Sequence, residues 1–470
     1  MKRLLALLLC TFILVSLFAC DNGTDQPVDT NPSDSDPADS KPNDSEPNDS
    51  EPSDSESTNS EIENTDPVDS DSADTDPVDP EPTTPAYELK LEKLNEIMQP
   101  IFSGNTVKNE TVMFLDYGDE RTLLYPVENM ISVTSYDGSV TYTEGKDYSI
   151  VDGKIKILAG SSIPCITREK YYNSSDTTLI TSYNGKNCNT HWGEGRPMTD
   201  WQVNVSYTHT NAWEGFAQEC RSETYEKFIN KLINGEDVTV FFYGDSITRG
   251  ANSSWEKNYA PYQYPYTIIF TEALADLFEY KVHYIASGLD KSAKVPSNDY
   301  VAGDRGTITY INTAVGGWTS EDALANFDAH VRTFVERYGC DLFISAFGIN
   351  DGTTARAMNM TTTNMLNKLY NIAPDACVMI VSTMYPNPNA SKWCTTQPAQ
   401  EKLLISTATS LNKKGKTCAV ACMTSMSASI LERKEFNDYS GNNINHPNDF
   451  FIRVYAQTML QTLLGYENMK

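Results

Sequence analysis

Tyr243-Gly244-Asp245-Ser246-Ile247-Thr248-Arg249-Gly250 follows directly on Val238-Thr239-Val240-Phe241-Phe242, and this junction decides the fold. The first five residues are apolar, β-branched or aromatic, the pattern of a strand buried on both faces. A serine just past such a strand stands at the carboxyl edge of a sheet, where open α/β folds bind their ligands. Gly244 and Gly250 let the chain turn sharply and leave room for a substrate. One reading is a nucleophilic serine. The other is an ordinary strand-to-loop turn, because Gly, Asp and Ser are all common turn residues.

Three further segments bear on the choice. Tyr310-Ile311-Asn312-Thr313-Ala314-Val315-Gly316-Gly317 is a second apolar stretch that ends in paired glycines, with a helix-like run starting near Ser320. Asp341-Leu342-Phe343-Ile344-Ser345-Ala346-Phe347-Gly348-Ile349-Asn350-Asp351 is a third buried-strand pattern, ending in a glycine and a carboxamide. Near the C-terminus, Asn442-Asn443-Ile444-Asn445-His446-Pro447-Asn448-Asp449 places a histidine before a proline and a long apolar-periodic run.

In this order, over residues 226–470, the four blocks resemble the SGNH, or GDSL, hydrolase superfamily. The resemblance implies a flavodoxin-like three-layer αβα domain; no cofactor and no metal are expected. It implies Ser246 as nucleophile and His446 as general base. The oxyanion hole would be the backbone N–H groups of Ser246 and Gly317 with the side-chain amide of Asn350. The chemistry needs such residues in any case. A serine hydroxyl requires an adjacent base, and the tetrahedral intermediate requires fixed donors at its oxyanion.

Much of the superfamily has an Asp three residues before the histidine, where this chain has Asn443. An amide oxygen can accept a bond from the imidazole but cannot match a full charge. Asn443 is therefore a candidate to orient His446, alongside a backbone carbonyl in a Ser–His dyad. Asp449 and the more distant Asp438 are the other acids in reach. Pro447-Asn448-Asp449 also reads as a helix start, which favours a capping role for Asp449.

The chain opens Met1-Lys2-Arg3, runs apolar from Leu4 to Ala19 and reaches Cys20, the pattern of a secretory signal. Leu17-Phe18-Ala19-Cys20 resembles a bacterial lipobox, which would place a lipid on Cys20 and anchor the chain to a membrane surface. A cleaved signal peptide is the alternative. Residues 21–86 are rich in Asp, Ser and Pro and carry 21 acidic residues and one lysine, a net charge of −20, against −28 for the whole chain. Such a segment cannot bury enough apolar area to fold and reads as an extended stalk. Residues 87–470 carry only −10. The acidic balance excludes a nucleic-acid partner as an expectation.

Residues 87–225 show short strand signals, a hairpin on Asp152-Gly153 and no long helix, which suggests a β-sandwich, jelly-roll-like domain. Residues 226–470 alternate strand-like runs at 238–243, 307–312, 341–347, 377–383 and 417–422 with helix-like stretches at 320–338, 397–412 and about 447–464. The two together resemble bimodular bacterial carbohydrate esterases. Ten cysteines include Cys20, but no spacing of Cys or His suits zinc. The expected activity is removal of O-acetyl groups from extracellular polysaccharide of the acetylxylan or acetylmannan type. Trp255, Tyr259, Tyr262, Tyr264 and Trp318 would stack on sugar rings or pack internally. A lipase or thioesterase on longer acyl chains, and an inactive carbohydrate-binding surface protein, are the alternatives.

Overall fold

Runs of residues that are apolar on both faces can be satisfied only in the middle of a layered structure, and the chain builds one around them. The structure, a computed structural model, describes residues 87–176, 178–390 and 396–470. The expected signal segment, Cys20, the acidic stalk and Cys394 lie outside the described residues.

Eight strands come first: β1 (Thr106–Met113), β2 (Glu120–Arg121), β3 (Asn129–Ser135), β4 (Tyr148–Val151), β5 (Lys154–Ile157), β6 (Ile180–Tyr183), β7 (Lys186–Asn189) and β8 (Gln202–Thr208). They form antiparallel sheets in the orders β1-β8-β3 and β2-β5-β4, and a β6-β7 hairpin. Val112, Val133, Val203 and Val205 of one three-stranded sheet share a buried cluster with Tyr148, Ile155 and Ile157 of the other. Two short helices, α1 (Arg168–Tyr172) and α2 (Arg196–Thr199), interrupt the strands.

The second half contains β9 (Val238–Gly244), β10 (Lys281–Ile285), β11 (Tyr300–Val301), β12 (Thr307–Asn312), β13 (Leu342–Ala346), β14 (Cys377–Val381) and β15 (Thr417–Ala421). They form one sheet in the order β11-β10-β12-β9-β13-β14-β15, parallel throughout except at β11. The five strands legible in the sequence follow the flavodoxin-like order 2-1-3-4-5, and β10 and β11 extend the edge beyond β12. Helices cover both faces: α3 (Glu226–Asn234), α4 (Ser246–Arg249), α5 (Tyr266–Phe278), α6 (Ser320–Ala325), α7 (Thr333–Tyr338), α8 (Ala355–Ile372), α9 (Gln397–Asn412), α10 (Met423–Leu431), α11 (Phe436–Tyr439) and α12 (Asp449–Leu463).

The last helix starts two residues later than expected. Asn448 is its N-cap, accepting the Phe451 N–H at 3.1 Å, and Pro447 stands outside in a bridge to Ser440. Every residue of α12 is buried. A helix buried all round must be covered on every side. It packs on α5 and β15 on one side and on β1 on the other, so the two halves of the chain share one apolar core.

Candidate active site

The serine owes its position to β9 and the turn that ends it. Asp245 caps α4 by accepting the Ile247 N–H at 3.0 Å, and Ser246 is the first residue of that helix. A first-turn N–H has no acceptor within its own helix, so the Ser246 N–H is not used inside α4. Gly244 is obligatory here. A Cβ on it would lie 2.2 Å from Thr248 Oγ1 and 2.6 Å from the Ala346 carbonyl oxygen.

The strands flanking β9 bring in the other predicted groups. β12 pairs with β9 on one side and β13 on the other. The loop leaving β12 is tied to the serine turn by Val315 N–H to Gly244 O (3.1 Å) and carries Gly317, whose φ of +81° suits glycine. The loop leaving β13 carries Asn350, which donates to the Trp318 carbonyl at 3.0 Å and so fastens the two loops together. Ser246, Gly317 and Asn350 therefore stand at the carboxyl ends of three adjacent strands, the switch point of the sheet.

His446 arrives from the segment before α12. Gly441 N–H and Ser440 Oγ both donate to its carbonyl, at 2.9 and 3.0 Å. The Asn442 side-chain oxygen accepts the N–H groups of Ile444, Asn445 and His446 at 2.9 to 3.0 Å. His446 Nε2 lies 2.9 Å from Ser246 Oγ, across 200 residues of sequence. The other ring nitrogen, Nδ1, is 3.2 Å from the carboxylate of Glu194 and 3.4 Å from the amide of Asn252. A proton on Nδ1 answers Glu194 and leaves Nε2 free to accept from the serine hydroxyl.

The candidates for orienting the histidine are corrected by this geometry. Asn443 donates its amide to Tyr171 Oη (2.8 Å) and to the His191 carbonyl (2.7 Å), and its Oδ1 accepts from Asn387. With φ at +63° it turns away from the imidazole and ties the strand-rich half to the histidine loop. Asp449 accepts the Ser254 N–H at 2.9 Å in the first turn of α12. Asp438 accepts from Met113 N–H and Arg121, both at 2.9 Å. Glu194 escaped the sequence reading because it lies in a loop between β7 and α2, far from every block. Its one local sign is that glycines flank it, in Trp192-Gly193-Glu194-Gly195.

Burial acts to raise the Glu194 carboxyl, but hydrogen bonding and attraction from His446, the Asn442 amide and Lys257 outweigh it and hold it at about 2. Asp245 behaves oppositely. Burial lifts its carboxyl to about 7, with Asp351 adding to the rise against the backbone N–H bonds that oppose it. Of the aromatics, Trp255 packs edge-on to Tyr264 at 5.0 Å and Trp318 lies against His330 at 4.4 Å, whereas Tyr262 is exposed.

A serine hydrogen-bonded to a histidine at the carboxyl edge of a doubly covered parallel sheet supplies the nucleophile and base that ester hydrolysis would need. The chain matches the model of the GDSL-like lipase/acylhydrolase family over residues 240–449. Among solved structures it is similar to a two-domain esterase active on acetylated mannans, crystallised with mannopentaose (18% identity, 54% of this chain and 56% of that chain, TM-score 0.37). It is similar also to a catalytic mutant of an acetylxylan esterase from Geobacillus stearothermophilus (13% identity, 50% and 96%, TM-score 0.34). A carbohydrate esterase family 3 protein from Talaromyces cellulolyticus is a third (18% identity, 47% and 96%, TM-score 0.32). The chain thus spans about half the length of the first of these. No curated protein sequence matches it.

Proposed function

We propose that this protein is a serine esterase that removes O-acetyl groups from extracellular polysaccharide of the acetylxylan or acetylmannan type. The observation that carries the reading is the 2.9 Å contact between Ser246 Oγ and His446 Nε2 at the switch point of the sheet. In the reaction, Ser246 Oγ attacks the acetyl carbonyl while its proton passes to His446 Nε2. The oxyanion is met by the N–H groups of Ser246 and Gly317 and the Asn350 amide. Collapse returns the proton to the departing sugar hydroxyl and leaves an acetyl-serine. Water, deprotonated by His446, then releases acetate and restores the serine.

Support for a glycan comes from a surface cleft. A cleft of about 530 Å³ is lined by residues from both halves of the chain. Tyr259 and the exposed Tyr262 line it together with Asp137, Arg196, Asp200 and Asn258. Sugars are bound by this combination of stacking faces and hydrogen-bonding side chains, whereas a long acyl chain wants an apolar channel. No helix among the described residues is long and apolar enough to cross a membrane. An extracytoplasmic location with a lipid on Cys20 and a stalk over 21–86 belongs to the same proposal.

The test is hydrolysis of p-nitrophenyl acetate, butyrate and octanoate, followed by acetate release from acetylated xylan and mannan, with Ser246→Ala alongside. Rapid cleavage of acetate that collapses with chain length, and a loss of at least about 1,000-fold in Ser246→Ala, is the expected outcome. Preference for octanoate would move the protein to the lipases.

A further inference from the structure

A histidine that shuttles protons for a serine needs a partner at Nδ1 that fixes its tautomer and steadies its positive charge. Among the described residues of 240–449, the segment matched by the family model, no acid meets Nδ1: Asp438 and Asp449 are held elsewhere and Asn443 faces away. The carboxylate at Nδ1 belongs to Glu194, 252 residues earlier in the chain. We propose that Glu194 is the positioning residue for His446, so that the catalytic centre is completed by the strand-rich segment upstream of the hydrolase domain. The proposal rests on Ser246 and His446 being nucleophile and base.

The surroundings are built to hold this contact. Gly193 N–H donates to the Asn442 carbonyl at 3.3 Å and Gly195 N–H to the Gly441 carbonyl at 3.1 Å, so the loop is fastened to the histidine segment on both sides of Glu194. Asn442 Nδ2 donates to Glu194 Oε1 at 3.1 Å, while the oxygen of the same amide fixes the His446 backbone N–H. One buried side chain therefore sets the positions of both partners. The glycines are needed for the approach. A Cβ at Gly193 would sit 2.6 Å from Pro197 Cβ, and Gly195 has φ +75° and would press on Lys257 Cγ at 3.3 Å.

The charged neighbours of the pair are few. Lys257 Nζ lies 3.8 Å from Glu194 and 3.5 Å from Glu256, and Glu256 in turn lies 3.8 Å from Arg249. Ser246, Asn252 and Asn442, which also touch the pair, are neutral. Glu194 is thus the one carboxylate in contact with the imidazole among the described residues. The proton moves from Ser246 Oγ to Nε2 during attack and leaves from Nε2 with the alcohol. Glu194 keeps its charge throughout and stabilises the intervening imidazolium. Its side chain is 41% exposed, so water screens the effect below that of a fully buried acid.

The test measures kcat/KM for p-nitrophenyl acetate from pH 4 to 9 with the full chain, comparing the wild type with Glu194→Gln, Glu194→Ala and Ser246→Ala. Glu194→Gln keeps the shape and an acceptor but removes the charge. It should lower kcat/KM by about 10- to 100-fold at pH 7 in a protein that remains folded at the assay temperature. Its acid limb should move to lower pH, because the imidazolium loses its counter-charge. Glu194→Ala should lose at least as much. Activity of Glu194→Gln within about threefold of wild type, or a loss with the acid limb unmoved, would overturn the proposal while leaving an inactive Ser246→Ala in place. An active Ser246→Ala would instead overturn the reading on which it rests.

Discussion

Asn350 spends one amide hydrogen on the Trp318 carbonyl at 3.0 Å, which fixes the plane of its side chain. The remaining hydrogen is then held in one direction without reorganisation, the condition that makes an oxyanion donor effective. Removing it should cost the transition state more than the ground state. Asn350→Ala is expected to lower kcat by about 100- to 1,000-fold while KM changes little, as initial-rate kinetics on p-nitrophenyl acetate would show. A drop carried by KM alone would remove Asn350 from the oxyanion role. Ser246, Gly317, Asn350 and His446 can be singled out in the sequence because each follows a strand or precedes a helix whose own pattern is strong. Glu194 was not, because nothing in its neighbourhood has a period. Its role is fixed by two backbone hydrogen bonds that close only after the halves of the chain have met. Asn443 was misread for the same reason: its partners, Tyr171 and His191, come from the other half.

Elements were legible in proportion to their burial. β9, β13, β14 and β15 are buried along nearly all their length and read as continuous apolar runs. β10 was missed because Lys281-Val282-His283-Tyr284-Ile285 is half-exposed and mixes polar with apolar residues, and β11 is only two residues long. The single helix expected over 320–338 is broken. α6, started by a Thr319–Asp322 capping box, stops at Ala325, and a π-helical turn at Asp328–Arg332 precedes α7. The widened turn carries His330, whose Nδ1 meets the Thr313 carbonyl at 3.1 Å and whose ring lies on Trp318. It thereby buttresses the loop that bears Gly317. The β9–α4 turn is the tightest of these elements. Gly244→Ala would force a methyl against Thr248 and the Ala346 carbonyl, and should destabilise the protein by about 1–3 kcal/mol or more. A lower urea midpoint at unchanged slope would show it, and an unchanged midpoint would mean the turn yields without cost.

The whole molecule is held together by buried charge as well as apolar surface. Lys434 and Glu110, both fully buried, meet at 2.6 Å between the segment after α10 and β1, and Arg121 reaches from β2 to Asp438 at 2.9 Å. Other acids are buried without a matching cation in contact, and they set how stability responds to pH. Burial raises Asp245 and Glu272 to about 7 and Asp449 to about 6. In the unfolded chain the same groups ionise near pH 4. Between about pH 4 and 7 the folded protein therefore holds protons that the unfolded chain has released, and stability falls as pH rises through that window. His209 and His330 act in the other direction, because burial holds them below the ordinary imidazole value and their contribution grows as pH approaches 6.5. Asp147 and Glu194, held at about 2, contribute stability that is lost only as pH falls from about 4.5 toward 2. The raised carboxyls span the wider range and persist above pH 6.5, where the histidines add nothing more. The thermal midpoint should accordingly be lower at pH 8 than at pH 5, and Asp245→Asn should remove part of that slope because its amide has no proton to lose. Midpoints that rise steadily from pH 5 to 8, with Asp245→Asn parallel to wild type, would show that these carboxyls are ionised in the fold.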